Sequence, residues 1–353
     1  MTGTRRKVTV LGDGGWGTAL AMVLAEAGAD VTVWGPFPDY IALMRDERRN
    51  PKFLPGITLP DSIALTDDLA EAGRADMIFS VIPSQYLRAV MSLFRAVYVP
   101  GTPVVTATKG IEVDTLETAV QIICDVLDPS DKGCSTKDKN ASSGLSIDDI
   151  AVVSGPSHAE EVARRMPTTV VSASTNSRLA CAVQDTLTTE RFRVYTNSDP
   201  VGVELAGCIK NVLSIAGGMV DGLGFGDNTK AALLSRGIAE MGRLGEAMGG
   251  ERATFFGLAG IGDLVVSCTS RHGRNRAVGE KIGQGRTLDE IVAEMDMVAE
   301  GVKTTKAIRA LMEEHNVEMP ICAEVYNVLY EAKPPEAALR DLMTRRLKDE
   351  VEW

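Results

Sequence analysis

Apolar and polar positions divide the chain into two parts with different periodicity. Up to about residue 198, short apolar runs alternate with amphipathic stretches, a pattern typical of strands in a parallel sheet joined by helices. From Asp199 onward the strand pattern stops, and helical spacing takes over. The pattern predicts a Rossmann-like α/β domain with a mostly parallel sheet over residues 1–198. It predicts an all-α domain over residues 199–353.

The predicted elements follow from these local patterns. The strands are short apolar runs bounded by turn residues: Lys7–Leu11, Asp30–Trp34, Ile63–Leu65, Asp76–Ile82, Pro103–Thr106, Ile150–Ser154, Thr168–Ser172 and Phe192–Tyr195. Helical spacing begins near Trp16 and recurs at Leu116–Leu127, Val201–Val220, Asn228–Gly249, Leu288–Glu294, Val302–His315, Ala323–Glu331 and Pro335–Leu347. Two polar stretches are predicted to be irregular: Asn50–Pro60 as a loop and residues 128–149 as an exposed insertion.

A glycine-rich turn joins the first strand to the first helix. Gly12, Gly14 and Gly17 have the spacing G-x-G-x-x-G. The first glycine permits a sharp turn, the second lets a pyrophosphate approach the backbone, and the third lets the helix pack closely on the sheet. The free N–H groups at the helix N-terminus favour bound phosphate. In this strand–turn–helix context the motif predicts dinucleotide binding, with a purely structural glycine turn as the alternative.

The residues at the end of the second strand do not decide between NAD and NADP. An acidic residue there reads the 2′-hydroxyl of the adenosine ribose, whereas a nearby arginine accepts a 2′-phosphate. This chain has Trp34-Gly35-Pro36-Phe37, which carries neither sign. The missing arginine favours NAD, but Arg45 is close enough in sequence to serve NADP.

Several charged residues stand where burial or a ligand is expected. Lys210 lies in an apolar helix and Asp263 in an apolar segment, and buried charges are costly unless they are paired or functional. Lys109 follows a strand end, where open parallel sheets bind ligands. Arg271–Arg276 concentrates positive charge suited to a phosphate. The alternative for the lysines and arginines is a side chain whose charged end reaches solvent.

Composition narrows the class of partner. A net charge of −11 argues against nucleic acid or an anionic membrane surface as the main partner. No unbroken apolar run approaches the roughly 18 residues of a membrane-spanning helix, so no transmembrane segment is expected. The three His are far apart, which predicts no metal site. The six Cys are scattered without paired spacing, as expected for reduced thiols in a cytoplasmic protein.

Eight segments together resemble the bacterial-type NAD(P)-dependent glycerol-3-phosphate dehydrogenase family. They span nearly the whole chain in the family's order: GDGGWGTALA, ATKG, SGPSHAEE, VELAGCIKN, GDNTKAALLSRGIAEM, GLAGIGDLVVSCTS, GRNRAVG and VAEGVKTT. The resemblance implies reversible reduction of dihydroxyacetone phosphate to sn-glycerol 3-phosphate by NADH or NADPH, feeding glycerophospholipid synthesis. It also implies a cytoplasmic enzyme with a small phosphate substrate, and it suggests a homodimer.

The resemblance also implies roles for individual residues. Lys210 matches the catalytic lysine, the proton acceptor in the oxidising direction. The implied substrate-binding residues are Lys109, Gly155, Ser157, Lys210, Asp263, Gly273, Arg274 and Asn275. The implied cofactor-binding residues are Gly12, Gly14, Gly15, Trp16, Gly17, Phe37, Lys109, Ala159, Arg274, Val298 and Glu300.

The chain departs from the family pattern at two places. Gly15 and Gly273 stand where many members have Ser, so only backbone contacts remain there. Pro36-Phe37 replaces a polar or basic pair, which bears on the 2′-phosphate. Two other functions stay open: a β-hydroxyacid dehydrogenase with a carboxylate substrate, and a non-catalytic dinucleotide-binding redox sensor.

Overall fold

The computed structural model describes residues 5–128, 145–295, 299–347 and 349–350. The chain forms two compact units. The first contains the described parts of Met1–Thr108 and Thr118–Pro200, and the second contains Lys109–Glu117 and the described residues from Val201 onward. Unlike the predicted division at residue 198, this one places the segment after Thr108 with the second unit. Most of the predicted insertion, residues 129–144, lies outside the described residues, as does Val298.

The first unit is built on an eight-stranded sheet. Its strands and the short strands of a separate hairpin are β1 (Lys7–Leu11), β2 (Asp30–Trp34), β3 (Arg49–Asn50), β4 (Leu54–Thr58), β5 (Ile63–Thr66), β6 (Met77–Ser80), β7 (Val104–Thr106), β8 (Ile150–Ser154), β9 (Thr168–Ala173) and β10 (Phe192–Asn197). The sheet order is β10-β9-β8-β7-β6-β1-β2-β5. Every neighbouring pair is parallel except β8 and β9. The predicted mostly parallel sheet is therefore confirmed.

The strand order reverses at β1. This strand pairs with β2 on one side and with β6 on the other, and Leu11 is in register with Trp34 and Ser80. Open α/β sheets bind ligands beyond the carboxyl ends of the strands at such a reversal. The glycine turn, which follows Leu11 directly, lies at this point.

Helices connect the strands of the first unit: α1 (Gly15–Glu26), α2 (Pro38–Glu47), α3 (Leu69–Ala72), α4 (Ser84–Phe94), α5 (Ala119–Leu127), α6 (Ala159–Ala163) and α7 (Ser177–Leu187). A one-turn 3₁₀ helix covers Ile147–Asp149. Helix α5 begins three residues later than the predicted Leu116. The reason is a capping box, in which the Thr118 and Gln121 side chains satisfy each other's backbone N–H groups.

The predicted loop Asn50–Pro60 contains the antiparallel hairpin β3–β4. Leu54 and Asn50 are almost completely buried, so this polar-looking segment is anchored to the unit at two points. Helix α2 was also not predicted. It begins at Pro38, a residue suited to the first helical position because its missing N–H would have no partner there.

The second unit is helical throughout its described part. Its α-helices are α8 (Pro200–Gly222), α9 (Asp227–Ala247), α10 (Asp263–Thr269), α11 (Arg274–Gly283), α12 (Leu288–Ala293), α13 (Glu300–Glu314), α14 (Pro320–Tyr330) and α15 (Pro335–Met343). A 3₁₀ helix at Arg252–Phe256 and a π-helix at Leu258–Gly262 precede α10. The predicted helical domain is confirmed.

Helix α8 is the one helix of the described chain that is long and apolar enough to cross a membrane. Its most apolar window has a mean hydropathy of 1.4 and is 100% buried within the protein. A core helix of this length and composition meets the same criteria. The sequence predicts a long, mostly apolar helix at Val201–Val220, and the burial of α8 agrees with a helix inside the second unit.

The cysteines differ in state. Four of the described cysteines, Cys181, Cys208, Cys268 and Cys322, are free thiols. Cys124 is disulfide-bonded, so the prediction of reduced thiols is wrong for this residue.

Candidate active site

The glycine turn has the geometry that its spacing predicts. Gly12 has a φ of +122°, and a Cβ there would lie 2.6 Å from the Val81 carbonyl oxygen. A Cβ on Gly17 would lie 2.1 Å from the Gly12 carbonyl oxygen, so the helix rests on the turn. Around Gly14, by contrast, a Cβ meets nothing within 4 Å. The second glycine therefore leaves open space that a pyrophosphate can use.

Helix α1 begins at Gly15, directly after this space. Its N-cap is Gly14, which provides no side-chain cap, so the first N–H groups remain available for an anion. A Cβ on Gly15 would lie 2.4 Å from the Phe53 carbonyl oxygen. This contact with the hairpin excludes a serine side chain at residue 15. Trp16 is half-buried, and its Nε1 has no hydrogen-bond partner in the described chain.

Three predicted site residues follow β8 in the first unit. Gly155 has a φ of +137° and its carbonyl accepts a hydrogen bond from Ser157 Oγ at 2.9 Å. Ala159 begins α6, and its Cβ would be 3.8 Å from a Cβ on Gly15. The sheet therefore brings Ala159 next to the glycine turn, although the two segments are far apart in sequence.

In the second unit, Asp263 joins two lysines. Lys210 Nζ lies 2.7 Å from Asp263 Oδ1, and Lys109 Nζ lies 2.8 Å from Asp263 Oδ2. Lys210 Nζ also donates to Ser267 Oγ at 2.7 Å. The side chains of Lys210 and Asp263 are 8% and 3% exposed, and that of Lys109 is 18% exposed. We call these four residues the lysine cluster.

Local structure positions the carboxylate of the lysine cluster. Asp263 is the first residue of α10 and follows the π-helix, a rare element that is frequent at functional sites. A Cβ on Gly260 would lie 2.0 Å from the Phe255 carbonyl oxygen, so only glycine allows this close packing. Ser267 stands one turn further along α10, where its hydroxyl lies 3.3 Å from Asp263 Oδ1.

Burial and neighbouring charge shift the pKa values of the lysine cluster. Burial lowers the pKa of Lys210 to about 8; the charge of Asp263 opposes this shift, and that of Lys109 adds to it. Burial alone would raise the pKa of Asp263, but the positive charges of Lys109 and Lys210 outweigh it and lower that pKa. The carboxylate is therefore ionised, and Lys210 is poised to exchange a proton near neutral pH.

An amide network links the lysine cluster to two further helices, α11 and α13. Asn211 Nδ2 donates to the Lys109 carbonyl at 2.9 Å, and Asn275 Nδ2 donates to Asn211 Oδ1 at 3.0 Å. Asn275 Oδ1 in turn accepts from Gly301 N at 3.0 Å. The predicted substrate residue Asn275 is thus held in one orientation beside Lys109, Lys210 and Asp263.

Helix α11 carries the remaining predicted substrate residues. Gly273 is its N-cap, and a Cβ there would lie 2.9 Å from the Ser267 carbonyl oxygen. Arg274 is the first residue of the helix and is exposed. Arg276 instead pairs with Asp221 at 2.6 Å and with Glu280 at 3.1 Å, which gives it a structural role.

Two of the remaining predicted cofactor residues, Phe37 and Glu300, stand at helix starts. Phe37 is the N-cap of α2 and its side chain is 64% exposed. Glu300 begins α13, directly before Gly301 of the amide network. Val298 lies outside the described residues.

Sequence reasoning missed several polar residues of these groups. Ser267, Asn211 and Asn50 are each buried in a polar network, and Asp13 is buried with an unpartnered carboxylate oxygen, but none of the four stands out from its neighbours in sequence. The spacing of Asp263 and Ser267 by one helical turn is the only local signal that pointed to one of them. The described chain contains no group of three His, Cys, Asp or Glu residues that could hold a metal ion.

A sheet whose strand order reverses beside a glycine-rich helix N-terminus, with a helical unit that buries a lysine–carboxylate pair, defines a dinucleotide-dependent dehydrogenase. Residues 7–180 match the family model described as the N-terminus of NAD-dependent glycerol-3-phosphate dehydrogenase, and residues 199–340 match its C-terminus. The chain belongs to the NAD-dependent glycerol-3-phosphate dehydrogenase family.

Known proteins resemble the chain over almost its whole length. It is 48% identical to glycerol-3-phosphate dehydrogenase [NAD(P)+] of Chlorobium phaeobacteroides, over 98% of this chain and 99% of the relative. It is 50% identical to the enzyme of the same name from a Geobacter species, over 98% of each chain. Among solved structures, glycerol-3-phosphate dehydrogenase of Coxiella burnetii superposes with a TM-score of 0.88 at 36% identity, covering 97% of this chain and 99% of that one.

Proposed function

We propose that this protein catalyses the reversible NAD(P)H-dependent reduction of dihydroxyacetone phosphate to sn-glycerol 3-phosphate, feeding glycerophospholipid synthesis. The observation that carries the proposal is the lysine cluster, in which a buried lysine of lowered pKa is held by an ionised carboxylate. Family membership supports a phosphate substrate over the carboxylate of a β-hydroxyacid dehydrogenase. A non-catalytic redox sensor would have no use for the lysine cluster.

The first unit is proposed to bind the dinucleotide. Its residues fit such a group, because the open space at Gly14, the uncapped start of α1 and the unpartnered Trp16 Nε1 all offer room or donors to a ligand. We expect Gly12, Gly14, Gly15, Trp16 and Gly17 to hold the pyrophosphate. When bound, the nicotinamide supplies the hydride for reduction or accepts it in oxidation.

Lys210 is proposed as the proton-transfer residue. Reduction of a ketone leaves negative charge on its oxygen, and a nearby ammonium both stabilises that charge and donates the proton. In the reverse direction, the neutral amine takes the hydroxyl proton. A pKa of about 8 suits both directions, since each protonation state is well populated near neutral pH.

Asp263 and Lys109 are proposed to assist this transfer. The carboxylate orients the Lys210 ammonium through the 2.7 Å contact and keeps its pKa from falling further. Lys109, on the other oxygen of Asp263, adds a second positive charge for the developing alkoxide. Ser267 fixes the rotamer of Lys210 by accepting its second hydrogen bond.

Arg274 and Asn275 are proposed to bind the substrate phosphate. The guanidinium of Arg274 presents a planar set of donors suited to phosphate oxygens. Asn275 is held by Asn211 and Gly301, and its amide nitrogen carries a second N–H for the ligand. Fixing the phosphate sets the position of the substrate carbonyl, which is how orientation lowers the barrier. Gly155, Ser157 and Gly273 complete the proposed substrate set.

A spectrophotometric assay of dihydroxyacetone phosphate with NADH and with NADPH tests the proposal. We expect oxidation of the reduced cofactor that depends on dihydroxyacetone phosphate, and no comparable rate with a β-keto acid under matched conditions. Turnover of the keto acid alone would establish the β-hydroxyacid dehydrogenase instead. Binding of the cofactor without turnover of either substrate would leave the redox sensor.

Localisation and assembly are proposed on family resemblance. We propose a cytoplasmic enzyme that forms a homodimer. Light scattering coupled to size exclusion measures the mass in solution, and a mass of 37.7 kDa would identify a monomer and contradict the dimer.

A further inference from the structure

The carboxylate of Asp13 lies at the carboxyl end of β2, although Asp13 belongs to the glycine turn after β1. Gly35 directly follows β2, and its N–H donates to the Thr66 carbonyl at 3.1 Å. A Cβ on Gly35 would lie 2.6 Å from Asp13 Oδ2 and 2.7 Å from Asp13 Cγ. The missing side chain at residue 35 is therefore what makes room for this carboxylate.

This carboxylate is buried without a partner. Asp13 is 7% exposed, and its Oδ2 has no hydrogen-bond partner in the described chain. A buried polar atom that makes no hydrogen bond costs free energy, so such atoms are uncommon in native proteins. A ligand that brings a donor to Asp13 explains why the chain retains it.

The hairpin β3–β4 holds Asp13 in place. Asn50 is 0% exposed, and its Nδ2 lies 2.7 Å from both the Asp13 carbonyl oxygen and Thr18 Oγ1. Asn50 Oδ1 accepts from Tyr40 Oη at 2.6 Å and from Phe53 N at 3.0 Å. The other contacts hold the Asn50 amide in one orientation, and its contact with the Asp13 carbonyl fixes the backbone that carries the carboxylate.

The two nearby arginines donate hydrogen bonds to backbone carbonyl oxygens. Arg45, the arginine that the sequence left open for NADP, donates from Nη2 to the Leu65 carbonyl at 2.8 Å. Arg48 Nη2 donates to the carbonyl oxygens of Pro60 and Ile63. Burial raises the pKa of Asp13, and the charge of Lys52, which is exposed and lies over the Phe53 ring, opposes this shift.

We propose that Asp13 determines cofactor specificity by accepting a hydrogen bond from the 2′-hydroxyl of the adenosine ribose and repelling a 2′-phosphate. In dinucleotide-binding units, the acidic residue that accepts a hydrogen bond from the 2′-hydroxyl normally stands at the end of the second strand. Here Trp34-Gly35-Pro36-Phe37 contains no acidic residue. Asp13 of the glycine turn instead places its carboxylate beside Gly35, at the end of β2. The chain therefore prefers NAD(H) to NADP(H). This inference rests on the proposed dinucleotide binding by the first unit.

Titration calorimetry of the full chain with NAD+ and with NADP+, without substrate, tests the inference. Wild-type protein is expected to bind NAD+ roughly tenfold or more tightly than NADP+, because a phosphate dianion beside a carboxylate is strongly disfavoured. Asp13→Asn keeps the shape and removes the charge, so the two dissociation constants should approach each other within about threefold. Asp13→Ala should change the ratio in the same direction.

Asp30→Asn is the matched control. It removes one carboxylate from the first residue of β2, at the other end of that strand from Gly35. The ratio of the two dissociation constants should not change. Wild-type protein that binds NADP+ as tightly as NAD+ would overturn the inference without reference to any variant. So would an unchanged ratio in Asp13→Asn. Binding of neither dinucleotide to wild-type protein would instead refute the proposed function itself.

Discussion

Lys210 and Asp263 are 53 residues apart in sequence, yet Lys210 Nζ lies 2.7 Å from Asp263 Oδ1. Both side chains are almost fully buried. A buried ion pair of this kind adds little to stability, because desolvation offsets most of the attraction. Its presence beside Lys109 and Ser267 is better explained by a role in proton transfer.

Replacing Lys210 by Met should remove proton transfer while preserving the length of the side chain. We expect kcat for reduction of dihydroxyacetone phosphate to fall by roughly 10²–10⁴-fold, the usual contribution of a general acid or base. The dissociation constant for NADH should change little. Lys303→Met, an exposed position on α13, serves as the control and should keep full activity. Wild-type turnover in Lys210→Met would remove the residue from the mechanism.

The pH dependence of glycerol 3-phosphate oxidation should report the lysine. Because the neutral amine is the proton acceptor, kcat should rise with pH and level off above about 8. Asp263 raises the pKa of Lys210, so Asp263→Asn should move the inflection to lower pH as well as reduce the rate. Asp289→Asn, at an exposed position of α12, should leave the profile in place. An inflection that moves upward, or not at all, in Asp263→Asn would contradict the assigned coupling.

Arg274→Ala should weaken phosphate binding. Loss of a charge-assisted contact is expected to raise the Michaelis constant for dihydroxyacetone phosphate by roughly tenfold or more. Since Arg274 is exposed, thermal stability should hardly change. Arg271→Ala removes an equal charge from the adjacent turn and should have a much smaller effect. Equal Michaelis constants for the Arg274 variant and wild-type protein would exclude the proposed contact.

Gly14→Ala separates ligand binding from folding. The added methyl group meets no protein atom within 4 Å, so the melting temperature should stay near that of the wild type. The affinity for NAD+ should fall, by about tenfold or more, because the methyl group occupies the approach of the pyrophosphate. Gly226→Ala is matched to it: this residue is also a helix N-cap in open space, and its substitution should not affect NAD+ binding.

Glu240 should make stability depend on pH. It is buried, accepts hydrogen bonds from Ile321 N and Cys322 N, and has a pKa that burial raises to about 7 from 4.5. The folded state then binds a proton that the unfolded state releases between these values, so stability is lost as pH rises from about 4.5 to about 7.

Urea unfolding across that pH range measures the effect of Glu240, on the order of 3 kcal/mol. Glu240→Gln cannot titrate, and its stability should change less over the same interval. Glu314→Gln on α13 is exposed and should retain the wild-type dependence. Parallel curves for wild-type protein and Glu240→Gln would show that the carboxyl group does not titrate in this range.

Much of the fold could be predicted because its signals are local. The alternation of apolar strands with helices, the glycine turn and the later helical spacing each lie within a few consecutive residues. The hairpin at Asn50 could not be predicted in the same way, since its polar residues resemble those of a loop. They become ordered only because Asn50 meets Asp13 and Thr18 in the folded unit.

The sequence by itself determined the class of the protein: a glycine turn between strand and helix, a helical second half, and the residues on which family resemblance rests. Only the tertiary structure decided which charges meet. Asp263 joins Lys109 and Lys210 across 154 and 53 residues, and Asp13 occupies the space beside Gly35. Such pairings depend on how the backbone brings distant segments together, and no local pattern of residues encodes the distance between two side chains.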